Sequence, residues 1–310
     1  MTPSDSTPVH VGIDVGGAQK GFHLCYLTYA DQRLVAIKFR RCPHEMLVPP
    51  TERLRGAVSK GAWRQLANLT FDAARLIASS VARHIPADTA GVYIDSPSAF
   101  SRNRKKHGRL TEKLNLKSVP GWGAAASLSY QPTPSASVGA EHNGDWNWIV
   151  YGMIAFMTAR YRGRAFDRDD WEQCLSDGLY CVTHDSTDLV IRECFPTATV
   201  NVLKAEGVSH EVSSLLESAE HEDVDGPGIQ VAADYLSRGI RGVKRRGPKY
   251  DYADSLVAAL SSLPYGLAGR FKEQETDPRK YRSNLNWQGG EGDEMREGWI
   301  ALVHSCGLRA

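Results

Sequence analysis

Residues 9–15, VHVGIDV, followed by Gly16-Gly17, read as an apolar strand that ends on a carboxylate and a glycine turn. An aspartate in that place is informative, because the ligand crevice of an open α/β sheet lies beyond the strand ends. Residues 20–29 and 33–41 are two more extended runs separated by Ala30-Asp31-Gln32, which predicts a three-stranded antiparallel start. A proline-rich link at 43–50 leads to a helix near 60–85, where Trp63, Leu66, Leu69, Ala73, Ile77 and Val81 recur at three and four and define one buried stripe. Residues 90–95, AGVYID, form a fourth strand that stops at Ser96-Pro97, since proline supplies no ladder donor and restricts the residue before it.

From 98 to about 185 the sequence is basic and glycine-punctuated, then carries an aromatic helix around 146–162, and is read as a large insertion between strands 4 and 5. Residues 188–195, DLVIRECF, make the fifth strand, closed by Pro196, and helical patterns follow at 198–206, 211–219, 229–238 and 250–263. The acidic patch from Glu217 to Asp225 is read as a solvated loop. Three strands in series, then helix, strand, insertion, strand and helices, predict an α/β domain with a mixed five-stranded sheet flanked by helices, in the order of a ribonuclease-H-like fold. No flexible linker divides the chain, so 1–310 reads as one domain.

The composition bounds what such a domain can do. With 310 residues, 42% hydrophobic and 24% charged, the chain is neither disordered, collagenous nor a small disulfide scaffold. Lys and Arg number 37 against 36 Asp and Glu, so bulk charge does not draw it to nucleic acid or membrane and any anion site must be local. Six cysteines without a C-x-x-C pair suit a reducing cytosol. The start, MTPSDSTP, lacks the features of an export signal, and the longest apolar run, WIVYGMIAFM at 148–157, falls short of the roughly 20 residues that cross a bilayer. A cytoplasmic protein without a membrane partner is expected.

The acids carry the functional signal. Asp14, Asp95 and Glu193 lie at the ends of strands 1, 4 and 5, and Asp251 and Asp254 stand three residues apart on the helix DYADSLVAALSSL, hence on one face of it. Each alone has a structural reading: a turn acceptor for Asp14 and Asp95, a salt bridge with a buried arginine for Glu193, and a partner of the helix macrodipole for Asp251. Together they could form a carboxylate cluster that needs cations, and oxygen-only donors favour Mg²⁺ or Mn²⁺. Two such ions would activate water and stabilise the leaving oxygen of a phosphodiester.

Two basic runs adjoin these acids in sequence. Arg102, Arg104, Lys105, Lys106 and Arg109 follow Asp95, and Lys244, Arg245 and Arg246 precede the D-x-x-D helix, as expected of groups that hold the phosphates of DNA or RNA. A solvated loop is the plainer reading of either run taken singly.

The segments GIDVGGAQKGF, YIDSP, RECFP, YADSLVAAL and EGWI at 297–300 resemble the family catalogued as domain of unknown function 429, a family of expected ribonuclease-H-like nucleases, and the D-x-x-D helix is similar to the last catalytic helix of RuvC-type resolvases. The resemblance implies that Asp14, Asp95, Asp251 and Asp254 hold metal, with Glu193 an additional acid. GIDVGG also resembles the first phosphate loop of actin-like and sugar-kinase-like ATPases, although a second D-x-G-[ST] loop is missing from the sequence. A nuclease-like fold that binds nucleic acid without cutting it is the third possibility.

Overall fold

The structure, a computed structural model, describes residues 7–16, 20–43, 47–96, 98, 146–162, 164–178, 189–222, 226–240, 243, 247–275 and 301–306. Strand β1 (Val9–Val15) is at the centre of a mixed sheet. It pairs antiparallel with β2 (Phe22–Ala30), which pairs antiparallel with β3 (Arg33–Cys42). The β2–β3 connection is a two-residue turn with Asp31 and Gln32 both at positive φ (48° and 56°), the backbone twist that a tight hairpin favours.

On its other side β1 pairs in parallel with β4 (Thr89–Asp95), and β4 in parallel with β5 (Val190–Cys194). A short sixth strand, β6 (Glu220–Glu222), runs parallel to β3 at the far edge, giving the order β5-β4-β1-β2-β3-β6. Part of the acidic patch read as loop is therefore a strand; its side chains are exposed all the same. At the sheet edge both faces of β6 meet water, while its backbone groups complete the ladder along β3.

Helices cover both faces. Helix α1 (Thr51–Lys60) ends on Gly61 in the left-handed conformation, and α2 (Trp63–Ala82) follows, so the single helix expected near 60–85 is preceded by another that the proline-rich link concealed. Leu66, Ala73, Ile77 and Val81 are buried as expected, whereas Leu69 is 40% exposed and Ala67, Thr70 and Ala74 complete the buried face instead. Helix α3 (Trp146–Tyr161) is the aromatic helix of the insertion; Tyr151, Met153 and Phe156 are fully buried, so these residues are core. Helix α4 (Arg168–Asp177) starts at a reciprocal cap between Asp167 and Asp170. These four helices share a core with Val11, Ile13, Val15, Leu24, Val92 and Ile94.

The opposite face of the sheet is covered by α5 (Pro196–Ala205), α6 (Ser209–Ser218), α7 (Gly226–Arg238) and α8 (Pro248–Ala259). A 3-10 turn (Leu260–Ser262) and the short α9 (Leu263–Gly266) continue α8. A separate antiparallel pair, β7 (Phe271–Glu275) and β8 (Ala301–Ser305), closes the described chain. Among the described residues no helix is long and apolar enough to cross a membrane. The five described cysteines form no disulfide.

Candidate functional site

Strand register brings the first two acids together. Asp14 and Asp95 are parallel partners at the carboxyl ends of β1 and β4. Both lie on the face covered by α8: Gly12 and Asp14 alternate with Val11, Ile13 and Val15, which face the other layer.

Helix α8 lies directly over that face. A β-carbon at Gly12 would be 2.2 Å from the carbonyl oxygen of Ser255 and 2.4 Å from the amide nitrogen of Ala259, so backbone packs on backbone. Tyr252 stacks edge-on against His23 at 4.9 Å, and His23 is the register partner of Asp14. Farther on, Gly266 meets the ring of Tyr29, towards the opposite end of β2. The helix thus runs antiparallel to β1, with its first turn at the Asp14 end.

The spacing carries Asp251 and Asp254 to the level of the strand acids. Asp251 precedes Ser255 by four residues, about 6 Å along a helix, and Asp14 follows Gly12 by two, about 7 Å along a strand. Asp254 precedes Ala258 by one turn, and Ala258 packs with Tyr93 and Cys194, which places Asp254 over the β4–β5 side. Asp14, Asp251 and Asp254 are all buried, and Asp95 is partly buried.

Three basic or polar neighbours escaped sequence reading. Lys20, just past the β1 end, donates from Nζ to Asp251 Oδ1 at 2.7 Å. His23 is buried, with Nδ1 3.8 Å from Asp14 Oδ2. Ser98 donates from its backbone N–H (2.8 Å) and its hydroxyl to Glu193 Oε2. Hairpin pairing opposite Asp14 was the available signal for His23; Lys20 and Ser98 have no sequence signature.

Glu193 is buried but stands apart from the other acids. Its register partner is Ile94, and Asp95 pairs with Cys194, so alternation puts Glu193 on the face away from α8, where it secures the segment leaving β4. The thiol of Cys194 senses the acids around it: burial pushes its pKa up first, and Asp95, Glu193 and Asp14 push it further.

As the side chains stand, no group of three or more His, Cys, Asp or Glu residues among the described residues is arranged to hold a metal ion. The donor chemistry nonetheless fits a hard divalent cation: Asp14, Asp95, Asp251 and Asp254 offer only oxygen, and a lysine ammonium already sits on Asp251 as a positive counterpart. The basic runs at Arg102, Arg104, Lys105, Lys106 and Arg109 and at Lys244, Arg245 and Arg246 lie outside the described residues, as does EGWI at 297–300. Compared with family models, curated proteins and solved structures, the chain finds no match.

Proposed function

We propose that this chain is a metal-dependent phosphodiester hydrolase of ribonuclease-H-like architecture that acts on nucleic acid, in keeping with its resemblance to domain of unknown function 429. The observation that carries the reading is the parallel register of Asp14 with Asp95, roofed by a helix whose first turns bring Asp251 and Asp254 to the same end. The strand order supports it as well: a central β1 with the antiparallel hairpin β2–β3 on one side and the parallel β4 and β5 on the other is the ribonuclease-H-like arrangement, with β6 an addition at the edge.

Asp14, Asp95, Asp251 and Asp254 would hold Mg²⁺ or Mn²⁺, which when bound lowers the pKa of an attacking water and stabilises the leaving oxygen. The protein's own part is positioning. The β1–β4 ladder fixes the separation of Asp14 and Asp95, and burial beneath α8 keeps bulk water from the carboxylates. The Lys20 ammonium neutralises Asp251 until a cation would take its place or a substrate phosphate would draw it away. Glu193, through Ser98, orients the segment after Asp95 that leads into the first basic run.

Electron paramagnetic resonance titration with Mn²⁺ tests this directly. The wild-type chain should bind the ion without nucleotide and cleave single- or double-stranded nucleic acid when it is present, and Asp14→Asn should lose both. Metal binding that requires ATP would favour the actin-like ATPase reading, and cleavage undiminished in Asp14→Asn would remove the mechanism.

A further inference from the structure

A second site lies on the other face of the sheet. Val9, at the start of β1, lines a cleft of about 470 Å³, within the range of small-molecule sites. Val9, Tyr26 and Lys38 share the face of Val11 and Ile13, opposite that of Asp14, so this cleft is no extension of the acidic crevice.

Charge is what distinguishes it. Lys38 and Arg40 reach it from β3, and Arg83 and His84 reach it from the end of α2, against one lining carboxylate, Glu222. Glu222 lies 3.2 Å from Lys38 Nζ and is about half exposed, so that carboxylate answers the lysine while Arg40 and Arg83 also line the cleft. Their fields converge. The His84 imidazole is held below its ordinary pKa by burial first, and then by Arg40 and Arg83. Arg40 likewise acts on the phenol of Tyr26, although burial dominates there and raises it.

The cleft is also held open by its own frame. Tyr26 donates its hydroxyl proton to the carbonyl oxygen of His84 at 2.6 Å, tying β2 to the turn that ends α2. Val9, Ala36 and Pro86 supply an apolar wall beside the cations.

We propose that this cleft binds a small organic phosphate, the guanidinium groups of Arg40 and Arg83 gripping the phosphate dianion and the apolar wall taking its organic part. Planar guanidinium forks match phosphate oxygens in a way that isolated ammonium groups do not. The inference is independent of the hydrolase reading, since it uses none of the acids and needs no divalent ion.

The test is calorimetric titration of the full chain, in chelator and without divalent metal, with inorganic phosphate, pyrophosphate and adenosine monophosphate. Saturable binding of one equivalent is expected, with the nucleotide tighter than inorganic phosphate because it also covers the wall. Arg40→Ala and Arg83→Ala should each weaken it at least about tenfold, since each removes a charge-assisted fork. Both side chains are exposed, so the variants should fold, and circular dichroism verifies that. Asp14→Asn should bind as the wild type does. The proposal is overturned by absence of binding at millimolar ligand, by equal affinity in the Arg40→Ala/Arg83→Ala double variant, or by binding that needs Mg²⁺ and disappears in Asp14→Asn. Binding of oligonucleotides alone, with none of the small phosphates, would also overturn it.

Discussion

Gly12 and Ser255 meet backbone to backbone: a β-carbon on the glycine would stand 2.2 Å from the serine carbonyl oxygen. That oxygen belongs to a helix and cannot swing aside as a flexible side chain would. Gly12→Val should therefore lift α8 from β1, costing about 1–3 kcal/mol by overpacking and weakening Mn²⁺ affinity although no acid is changed. Chemical denaturation and Mn²⁺ titration of the same variant check both effects.

Glu193 and Asp95 should respond differently to loss of charge. Glu193→Gln weakens the acceptor of two hydrogen bonds from Ser98, for a stability loss of about 1–3 kcal/mol, and should leave Mn²⁺ affinity near that of the wild type. Asp95→Asn should lower ion affinity at least about tenfold with a smaller effect on folding. Denaturation midpoints measured beside Mn²⁺ binding distinguish an acid that anchors the chain from one that would hold the ion.

At the proposed site Lys20 would compete with a cation for Asp251. Lys20→Gln should raise Mn²⁺ affinity severalfold, and because the lysine is 57% exposed the stability change should stay within about 1 kcal/mol. Mn²⁺ affinity that falls in this variant would mean that the ammonium supports the ion.

His10 makes folding sensitive to mild acid. It is enclosed by the rings of Tyr29, Tyr93 and Tyr265, and burial lowers its pKa from 6.5 to about 4. The unfolded chain therefore takes up this proton before the folded one does. The histidine's contribution is complete above about pH 6.5, is lost progressively as pH falls, and levels off near pH 4, for a total of about 3 kcal/mol. Stability measured across that window should lose the corresponding slope in His10→Phe.

Much of the scaffold was legible because periodicity reports burial. VHVGIDV, AGVYID and VIREC announce strands by their apolar runs, and DYADSLVAAL announces its helix by small and apolar residues at three and four. What stayed hidden depends on partners distant in sequence. Strand β6 reads as EHE, without an apolar residue, and exists because β3 offers it an edge. Helix α1 was concealed by the prolines before it and by TERLRG, which buries little. Strands β7 and β8 satisfy each other across a gap of 25 residues.

At the site, the strand-end position of Asp14 and Asp95 was readable, but the face of Glu193 was not, since it follows from pairing with Ile94. Alternation within DLVIRECF places Glu193 with Ile191, and that face belongs to the α1–α4 layer. The role of Lys20 was not legible because its partner, Asp251, is 231 residues away in sequence.

Cys194, sealed with Tyr93 beneath Ala258, converts α8 into something that can be timed. A small alkylating reagent can reach that sulfur only when the roof rises, so peptide-resolved labelling rates become a clock for how often the acidic chamber admits solvent. Whatever fastens the roof, whether an ion or a bound strand of nucleic acid, should slow the clock without touching the cysteine.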